Sequence, residues 1–243
     1  MTDALIGYTG FVGSNIVRPS DAAFNSKNIE TIRGQSFDRV VCAGVTAVKW
    51  WANANATEDR ARIERLIDDL DTIDASQFTL ISTVDVYRDP KNVDETSAPA
   101  PVQAYGVNRL RLEQFVADRF PRHTIVRLPA LVGRGLKKNA VFDLMHNNQL
   151  ERIHPESSFQ WYSLDTLSDD LIEAETFDMR VVNFVTEPVS MRDIRDRFFP
   201  GKEIGSAAQA AHYDVHTRYT DTGYILDRSE VMDALATFIE AVK

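Results

Sequence analysis

The chain has 243 residues, of which 44% are hydrophobic and 26% are charged, and its formal net charge is −9 at pH 7. This composition is ordinary for a globular protein, and the length suits one large α/β domain or a domain with a small appendage. The negative charge argues against nucleic acid or an anionic membrane as a general partner. The single cysteine, Cys42, excludes an internal disulfide and a cysteine-rich metal site, and it fits a reducing compartment.

The beginning of the chain and its hydropathy predict a location. A strand is predicted within the first four residues, which leaves no room for a signal peptide. No apolar run reaches the ~20 residues that a membrane helix needs. We therefore expect a soluble cytoplasmic protein without membrane or nucleic-acid partners.

A glycine-rich turn follows the first predicted strand. Residues 5–16 read Leu-Ile-Gly-Tyr-Thr-Gly-Phe-Val-Gly-Ser-Asn-Ile, so Gly7, Gly10 and Gly13 are spaced G-x-x-G-x-x-G. The first glycine of such a turn permits a tight strand-to-helix connection, the second lets backbone approach a pyrophosphate, and the third lets helix and strand pack closely. The N-terminus of the next helix, predicted over 12–17, offers amide groups to phosphates. The pattern predicts a dinucleotide site, and its alternative is a bare turn.

The next segment bears on which dinucleotide is bound. Residues 22–25 are a candidate second strand, and an acid at the end of this strand is typical of an NAD site. The chain has Asn25, Ser26 and Lys27 there, and a Ser–Lys pair can accept the 2′-phosphate of NADP. This favours NADP over NAD. Glu30 and Arg33 lie nearer the usual spacing, and an ordinary polar turn is the remaining alternative.

Strands and helices alternate along the rest of the chain. Further strands are predicted over 37–44, 78–83, 123–128 and 180–185, and helices over 57–73, 105–120, 164–174, 194–199 and 227–242, with loops over 45–55 and 94–103. This alternation predicts an α/β fold of the Rossmann type, with a doubly wound parallel sheet and a small irregular C-terminal substrate-binding part. We expect an NAD(P)-binding domain over 1–132 and a mainly substrate-binding region over 133–243. The latter returns a late strand, near 180–186, and a C-terminal helix to the main fold.

Three stretches together resemble the extended short-chain dehydrogenase/reductase family, which contains nucleotide-sugar epimerases and dehydratases. They are the glycine turn, Ser-Thr-Val-Asp-Val-Tyr over 82–87, and Tyr-Gly-Val-Asn-Arg over 105–109. The segment Val-Arg-Leu-Pro-Ala-Leu-Val-Gly over 126–133 is similar to the family's strand into the substrate region. The resemblance covers residues 5 to about 135. It implies cofactor contacts, which we assign to Gly7, Thr9, Gly10, Phe11, Val12, Gly13, Asn25, Ser26, Lys27, Ala43 and Gly44.

The resemblance also implies a catalytic tyrosine, Tyr105. A tyrosine with its free pKa of about 10 is a poor base at neutral pH and needs a nearby cation. The family has a lysine four residues later, on the same helix face, where this chain has Arg109. Arginine supplies a positive charge, but it has a planar fork and cannot relay a proton. The alternative is that Arg109 only pairs with Glu113 on a solvated face.

Two further residues have implied roles. Thr83 matches the family's Ser/Thr that hydrogen-bonds the reacting sugar oxygen. Asp85 lies where the dehydratase branch carries an acid, and its alternative is a carboxylate that braces the loop. The residues Gln160-Trp161-Tyr162-Ser163 replace a stretch that often contacts substrate in the family, and basic residues at 134, 137 and 138 could grip a diphosphate.

The sequence supports two functional hypotheses. The first is an NAD(P)-dependent oxidoreductase, epimerase or dehydratase that acts on a nucleotide-linked sugar, with Tyr105, Thr83, Arg109 and Asp85 as the catalytic set. The second is an NAD(P)-binding sensor or structural protein of the same fold without turnover. No metal site is expected, since His212 and His216 lack a third ligand. The resemblance implies a homodimer through the helices predicted over 57–73 and 105–120.

Overall fold

The computed structural model describes residues 2–19 and 21–242 of the chain. The chain divides into two compact units whose segments interleave. The first unit contains the chain up to Arg88, with Ala98–Arg127 and Asp165–Val182. The second contains Asp89–Ser97, Leu128–Leu164 and the chain from Asn183 onward.

The helices and strands are numbered in chain order. The strands are β1 Asp3–Ile6, β2 Ala22–Phe24, β3 Ser36–Cys42, β4 Asp74–Thr83, β5 Lys91–Val93, β6 His123–Leu128, β7 Ala130–Val132, β8 Ser158–Phe159, β9 Trp161–Ser163, β10 Val181–Asn183, β11 Val189–Ser190 and β12 Asp214–Val215. The helices are α1 Phe11–Ile16, α2 Lys49–Ala54, α3 Ala56–Leu70, α4 Ala104–Arg119, α5 Ala140–His146, α6 Leu167–Thr176, α7 Met191–Phe198 and α8 Arg228–Ala241. Short 3-10 turns cover Ile29–Ile32, Val84–Val86 and Leu150–Arg152.

The first unit is built on a six-stranded parallel sheet in the order β10-β6-β4-β3-β1-β2. The chain steps from β1 outward to β2 and then returns to add β3 on the other side of β1. Ile6 pairs with Phe24 of β2 and with Cys42 of β3, so the carboxyl ends of these three strands are level. In an open α/β sheet, the point where the strand order reverses leaves a crevice that ligands occupy. The topology therefore puts the residues after Ile6 and Cys42 at such a point.

Helices cover both faces of this sheet. Strand residues such as Val40 and Phe78 form one buried apolar cluster with the inward faces of α3 and α4. Residues next to them in the strands point to the opposite face, because side chains alternate along a strand. There the Glu175 carboxylate of α6 accepts hydrogen bonds from Arg39 of β3 and Thr79 of β4. The predicted doubly wound parallel sheet is confirmed.

Several elements differ from their predicted extent. Residues 49–54 form helix α2 where a loop was expected, although this six-residue helix has no side-chain cap. The strand predicted over 78–83 begins four residues earlier, at Asp74, and the late strand is only Val181–Asn183. Helix α5 lies in the region that was expected to be irregular, and its N-cap is Asn139, whose side chain accepts the amide of Phe142.

The second unit has its own apolar core and three pairs of short strands. These pairs are β11 with β8, β12 with β5, and β7 with β9. The core is formed by inward residues of α5, α7 and α8, among them Leu144, Ile194 and Leu235. The C-terminal helix α8 thus packs within this unit, and a capping box of Asp227 and Glu230 begins it. That the first unit binds a cofactor and the second a substrate stays a prediction. Across residues 2–19 and 21–242, no helix is long and apolar enough to cross a membrane.

Candidate functional site

The glycine turn lies between the carboxyl ends of β1, β2 and β3. Gly7 has a φ of +87°, and a Cβ added to it would lie 2.4 Å from the Ala43 carbonyl oxygen. The Gly7 amide donates to the Phe24 carbonyl at 2.7 Å, which ties the turn to β2. A Cβ on Gly13 would lie 2.1 Å from the Gly7 carbonyl oxygen, so only glycine lets α1 pack so close to the turn. The backbone packing of the turn itself therefore explains why residues 7 and 13 are glycines.

Gly10 differs from the other two glycines. It is exposed, and an added Cβ would meet only the Gly7 carbonyl oxygen, at 3.2 Å. Its φ of −77° and ψ of 170° suit any residue. Packing therefore gives no strong reason for glycine there, whereas the approach of a ligand to the backbone would. Thr9 is exposed beside it, while Phe11 and Val12 are half-buried at the start of α1.

The residues after β2 form a compact polar turn. The Asn25 side chain accepts the Lys27 amide at 2.8 Å, and the Asn25 amide donates to the Asn28 side chain at 2.7 Å. Ser26 and Lys27 are exposed on this turn, as is Glu30 in the 3-10 turn that follows. Arg33 is paired with Asp69 at 2.6 Å. The side chains open to a ribose or its phosphate at this end of the sheet include Ser26, Lys27 and Glu30.

Tyr105 and Thr83 are brought together by two elements of the first unit. Thr83 ends β4, and Tyr105 lies in the first turn of α4. The Thr83 side chain interacts with the Tyr105 hydroxyl and lowers its pKa, and the tyrosine is only 9% exposed. A Cβ on Gly106 would lie 2.2 Å from the Asp85 carbonyl oxygen, so glycine at this position allows α4 to pack against the turn after β4. The sequence motifs Ser-Thr-x-x-Val-Tyr and Tyr-Gly thus meet in space.

Asp85 lies beside this pair. Its backbone amide donates to the Thr83 hydroxyl at 3.2 Å. Its carboxylate is bonded to the Lys49 ammonium, with 2.6 Å between Nζ and Oδ1. Lys49 is the first residue of α2, and its side chain is 41% exposed. Asp85 therefore holds α2 to the end of β4, in addition to any role in chemistry.

Arg109 forms a buried ion pair with a carboxylate on another helix. It is 4% exposed, and it bonds the Asp59 carboxylate of α3, which is 1% exposed. Its other terminal nitrogen donates to the Thr46 carbonyl oxygen, and its guanidinium carbon lies 4.1 Å from the centroid of the Tyr105 ring. Glu113, the alternative partner considered from the sequence, bonds Arg127 and Ser82 instead.

The charges around Tyr105 oppose one another. Burial is the largest influence and raises the pKa of its hydroxyl above the ordinary value. Arg109 lowers this pKa, Asp85 raises it, and the hydrogen bond with Thr83 and the charge of Lys49 lower it. The net direction is upward, so the hydroxyl keeps its proton at neutral pH and is prepared to act as an acid.

The other candidate residues have structural roles or lie in the second unit. Gln160 is buried and bonds the backbone of Thr186 and Val215, so it braces that unit. His212 contacts Ser158, and His216 contacts Tyr224. Within the part of the chain that the structure describes, no three His, Cys, Asp or Glu side chains gather to hold a metal ion.

Sequence reasoning missed two residues of this site. Lys49 was included only in a loop, and Asp59 only in the amphipathic helix 57–73. The local signals are weak: Lys49 follows a buried strand, and Asp59 is an acid on a largely apolar helix face. Neither signal indicates which residue is the ion-pair partner.

Solved structures with similar folds span nearly all of the chain. A UDP-N-acetylglucosamine 4-epimerase from Methanobrevibacter ruminantium M1 has a TM-score of 0.77 at 11% identity, covering 98% of this chain and 97% of its own. A dTDP-4-dehydrorhamnose reductase from Bacillus anthracis str. Ames, in complex with NADP, has a TM-score of 0.77 at 15% identity, with 100% and 99% coverage. A UDP-glucuronic acid 4-epimerase variant from Bacillus cereus, in complex with NAD and a fluorinated UDP-sugar, has a TM-score of 0.71 at 15% identity and covers both chains fully.

The chain has the extended short-chain dehydrogenase/reductase fold. This confirms, at the level of fold, the resemblance drawn from the motifs. No family model matches the sequence, and no curated protein matches it either.

Proposed function

We propose that this protein is an NAD(P)-dependent enzyme that acts on a nucleotide-linked sugar, as an epimerase, dehydratase or ketoreductase. The observation that carries the proposal is the buried Tyr105 hydroxyl next to Thr83, where α4 packs against the turn after β4. It lies in the same unit as a glycine turn at the point where the strand order reverses. The similar structures are nucleotide-sugar epimerases and a reductase, two of them with bound NAD or NADP, and this supports the choice of substrate and cofactor class.

The residues of the glycine turn fit a dinucleotide. A Cβ at Gly7 or Gly13 would collide with backbone, and exposed Gly10 leaves the outer side of the turn open to a diphosphate. When bound, a nicotinamide supplies the donor or acceptor of a hydride. The residues that would hold the dinucleotide are Gly7, Thr9, Gly10, Phe11, Val12, Gly13, Asn25, Ser26, Lys27, Ala43 and Gly44. Exposed Ser26 and Lys27 favour NADP, and exposed Glu30 is the corresponding feature for NAD.

The reacting end of the proposed site consists of four side chains. The protonated Tyr105 hydroxyl can give its proton to a substrate oxygen, or take one back in the reverse direction. Thr83 orients that hydroxyl, and Asp85 is a second acid or base within the same cluster. Arg109 adds positive charge over the tyrosine ring. The raised pKa of Tyr105 suits the reducing direction, in which the tyrosine acts as an acid.

Thermal melting with NAD⁺, NADH, NADP⁺ and NADPH, each tested separately, examines cofactor binding. A ligand at 100 times its dissociation constant stabilises a protein by ~2.7 kcal/mol, which raises the midpoint of a chain of this size by roughly 5–10 °C. We expect a larger shift with the phosphorylated pair. A shift with NAD(H) alone would assign the ribose contact to Glu30. No shift with any of the four, from protein free of bound nucleotide, would refute cofactor binding.

Single-turnover hydride transfer with a panel of nucleotide sugars tests the chemistry. The Tyr105→Phe variant keeps the ring under Arg109 and removes only the hydroxyl. We expect transfer to slow by about 10²–10⁴-fold, with the cofactor-induced melting shift preserved. Equal rates in the two proteins would remove Tyr105 from the mechanism. A cofactor that stays bound through purification would favour an epimerase or dehydratase over a reductase.

Arg109 supports a second candidate, an NAD(P)-binding sensor or structural protein without turnover. Its guanidinium is buried and bonded to Asp59, so it differs from an exposed lysine that reaches a ribose. Cofactor-induced stabilisation with no turnover on any nucleotide sugar, in both wild type and Arg109→Lys, would favour this candidate. A gain of activity in Arg109→Lys would indicate that arginine impairs an existing active site.

A further inference from the structure

The positive charge of Arg109 is already compensated within the protein. The guanidinium bonds the buried Asp59 carboxylate, which also accepts from the Asn108 amide at 2.7 Å. Its second terminal nitrogen bonds the Thr46 carbonyl oxygen. Arginine also holds its proton throughout the working pH range and cannot exchange it with a neighbour. Besides lowering the pKa of Tyr105, Arg109 therefore joins α4 to α3 and to the segment before α2.

A second cation, Lys49, also lowers the pKa of the Tyr105 hydroxyl. Lys49, from α2, bonds Asp85 at 2.6 Å, and the Asp85 amide bonds the same Thr83 hydroxyl that contacts Tyr105. The lysine side chain is partly exposed on a flexible stem, and its ammonium has three donors. It comes from a different element and from the other side of the tyrosine in sequence, so no Tyr-x-x-x-Lys pattern could reveal it.

Asp85 explains why such a cation is needed. An ionised carboxylate beside a tyrosine opposes ionisation of the phenol, and an adjacent ammonium offsets that effect. The charged groups that face Tyr105 are Lys49 of α2, Asp85 of the turn after β4, and Arg109 of its own helix, with Asp59 of α3 behind the arginine. Of the two cations, Lys49 is bonded to the carboxylate that disfavours the phenolate.

We propose that Lys49 is a positioning residue that acts in addition to Arg109, and that its positive charge compensates Asp85 beside the Tyr105 hydroxyl. Lys49 then offsets the Asp85 carboxylate and keeps the hydroxyl able to lose and regain its proton during turnover. This inference rests on the proposed function for its catalytic meaning. The charge coupling itself is a property of the protein without ligand.

The test is a tyrosinate titration by near-ultraviolet absorbance, with the Tyr105 signal isolated by subtracting the matching Tyr105→Phe protein. We expect Lys49→Met to raise the apparent pKa of Tyr105 by up to about one unit, and Lys49→Arg to leave it near the wild-type value. The double variant Lys49→Met/Asp85→Asn should return it toward wild type, because both charges are removed. Lys91→Met, at an exposed lysine of β5, is the matched control and should have no effect.

The outcomes separate this inference from the proposed function. An unchanged Tyr105 titration in Lys49→Met, with cofactor binding and Tyr105-dependent turnover intact, would overturn the role of Lys49 alone. A shifted titration without any cofactor binding would support the charge coupling between Lys49 and Tyr105 and would refute the proposed NAD(P)-dependent activity. Where turnover is found, Lys49→Met should move the pH profile of kcat in the same direction as the titration, with little change in KM for the cofactor. A loss confined to KM would also contradict the proposal.

Discussion

At the scale of single residues, the glycine turn separates a packing requirement, at Gly13, from a proposed ligand requirement, at Gly10. Replacing Gly13 by alanine puts a Cβ 2.1 Å from the Gly7 carbonyl oxygen, so backbone must move. Overpacking of this kind costs about 1–3 kcal/mol or more, and we expect the melting midpoint to fall by roughly 2–10 °C. Thermal melting without ligand measures the loss.

Gly10→Ala is the matched comparison within the same turn. The added methyl group meets only one atom, at 3.2 Å, and the backbone angles there suit alanine. We expect the unliganded midpoint to stay within about 2 °C of wild type, while the shift induced by NADPH is lost or much reduced. A Gly10→Ala protein that keeps the full NADPH shift would show that no diphosphate approaches this residue.

The same scale shows what the sequence could reveal about the site. The glycine spacing and the tyrosine and threonine motifs are local chemical requirements, so they can be read from neighbouring residues. The Lys49–Asp85 pair joins residues 36 positions apart, and the Arg109–Asp59 pair joins residues 50 apart. Helix spacing favoured Glu113, four residues from Arg109, but tertiary packing brings Arg127 to Glu113 and Asp59 to Arg109.

At the scale of elements, the Arg109–Asp59 pair determines how α3 and α4 meet. Both groups are buried, and removal of one partner leaves an uncompensated charge, which typically costs 3–5 kcal/mol. We expect Asp59→Asn to lower the free energy of unfolding by about 3 kcal/mol, measured by urea denaturation. Asp233→Asn, in the exposed α7–α8 pair with Arg197, is the control and should cost less than about 1 kcal/mol. Similar losses in the two variants would argue against a structural role for the buried pair.

The elements that were predicted well are those with a long repeating pattern. Helix α3 has its apolar residues on one face, and β3 ends in the buried apolar run 40–42. The type and burial of each element can therefore be predicted from its own residues. Helix α2 and strands of two or three residues have no such period. Lys-Trp-Trp-Ala-Asn-Ala becomes helical without a cap, with Trp51 under the Arg62 guanidinium and Trp50 72% exposed. Such short elements depend on neighbours that are distant in sequence.

At the scale of the whole molecule, a buried thiol and two tyrosine hydroxyls with raised pKa values should make the folded protein less stable at alkaline pH. Burial raises the pKa of the Cys42 thiol from 9.0 to about 11. Burial likewise raises the pKa of Tyr105, and burial together with Asp214 raises that of Tyr224. All three groups are therefore harder to ionise in the folded protein than in the unfolded chain.

The sign of the effect follows from proton linkage. Below pH 9 the thiol is protonated in both states, and its contribution to stability is fully present. As pH rises from 9 to about 11 the unfolded chain loses this proton first, so the free energy of unfolding falls. A pKa difference of about two units is worth about 3 kcal/mol. The two tyrosines act in the same direction at higher pH.

Urea denaturation at about pH 8 and about pH 10.5 measures this loss, and Cys42→Ala assigns the thiol's share. The smaller alanine side chain leaves a cavity that lowers the free energy of unfolding by the same amount at both pH values, because the loss of packing does not depend on pH. The difference between the two pH values should then shrink by about 1–3 kcal/mol relative to wild type. The alkaline loss that persists in Cys42→Ala includes the share of the tyrosines, so Tyr224→Phe should reduce it further. An unchanged difference in Cys42→Ala would mean that the thiol ionises equally readily in the folded and unfolded protein.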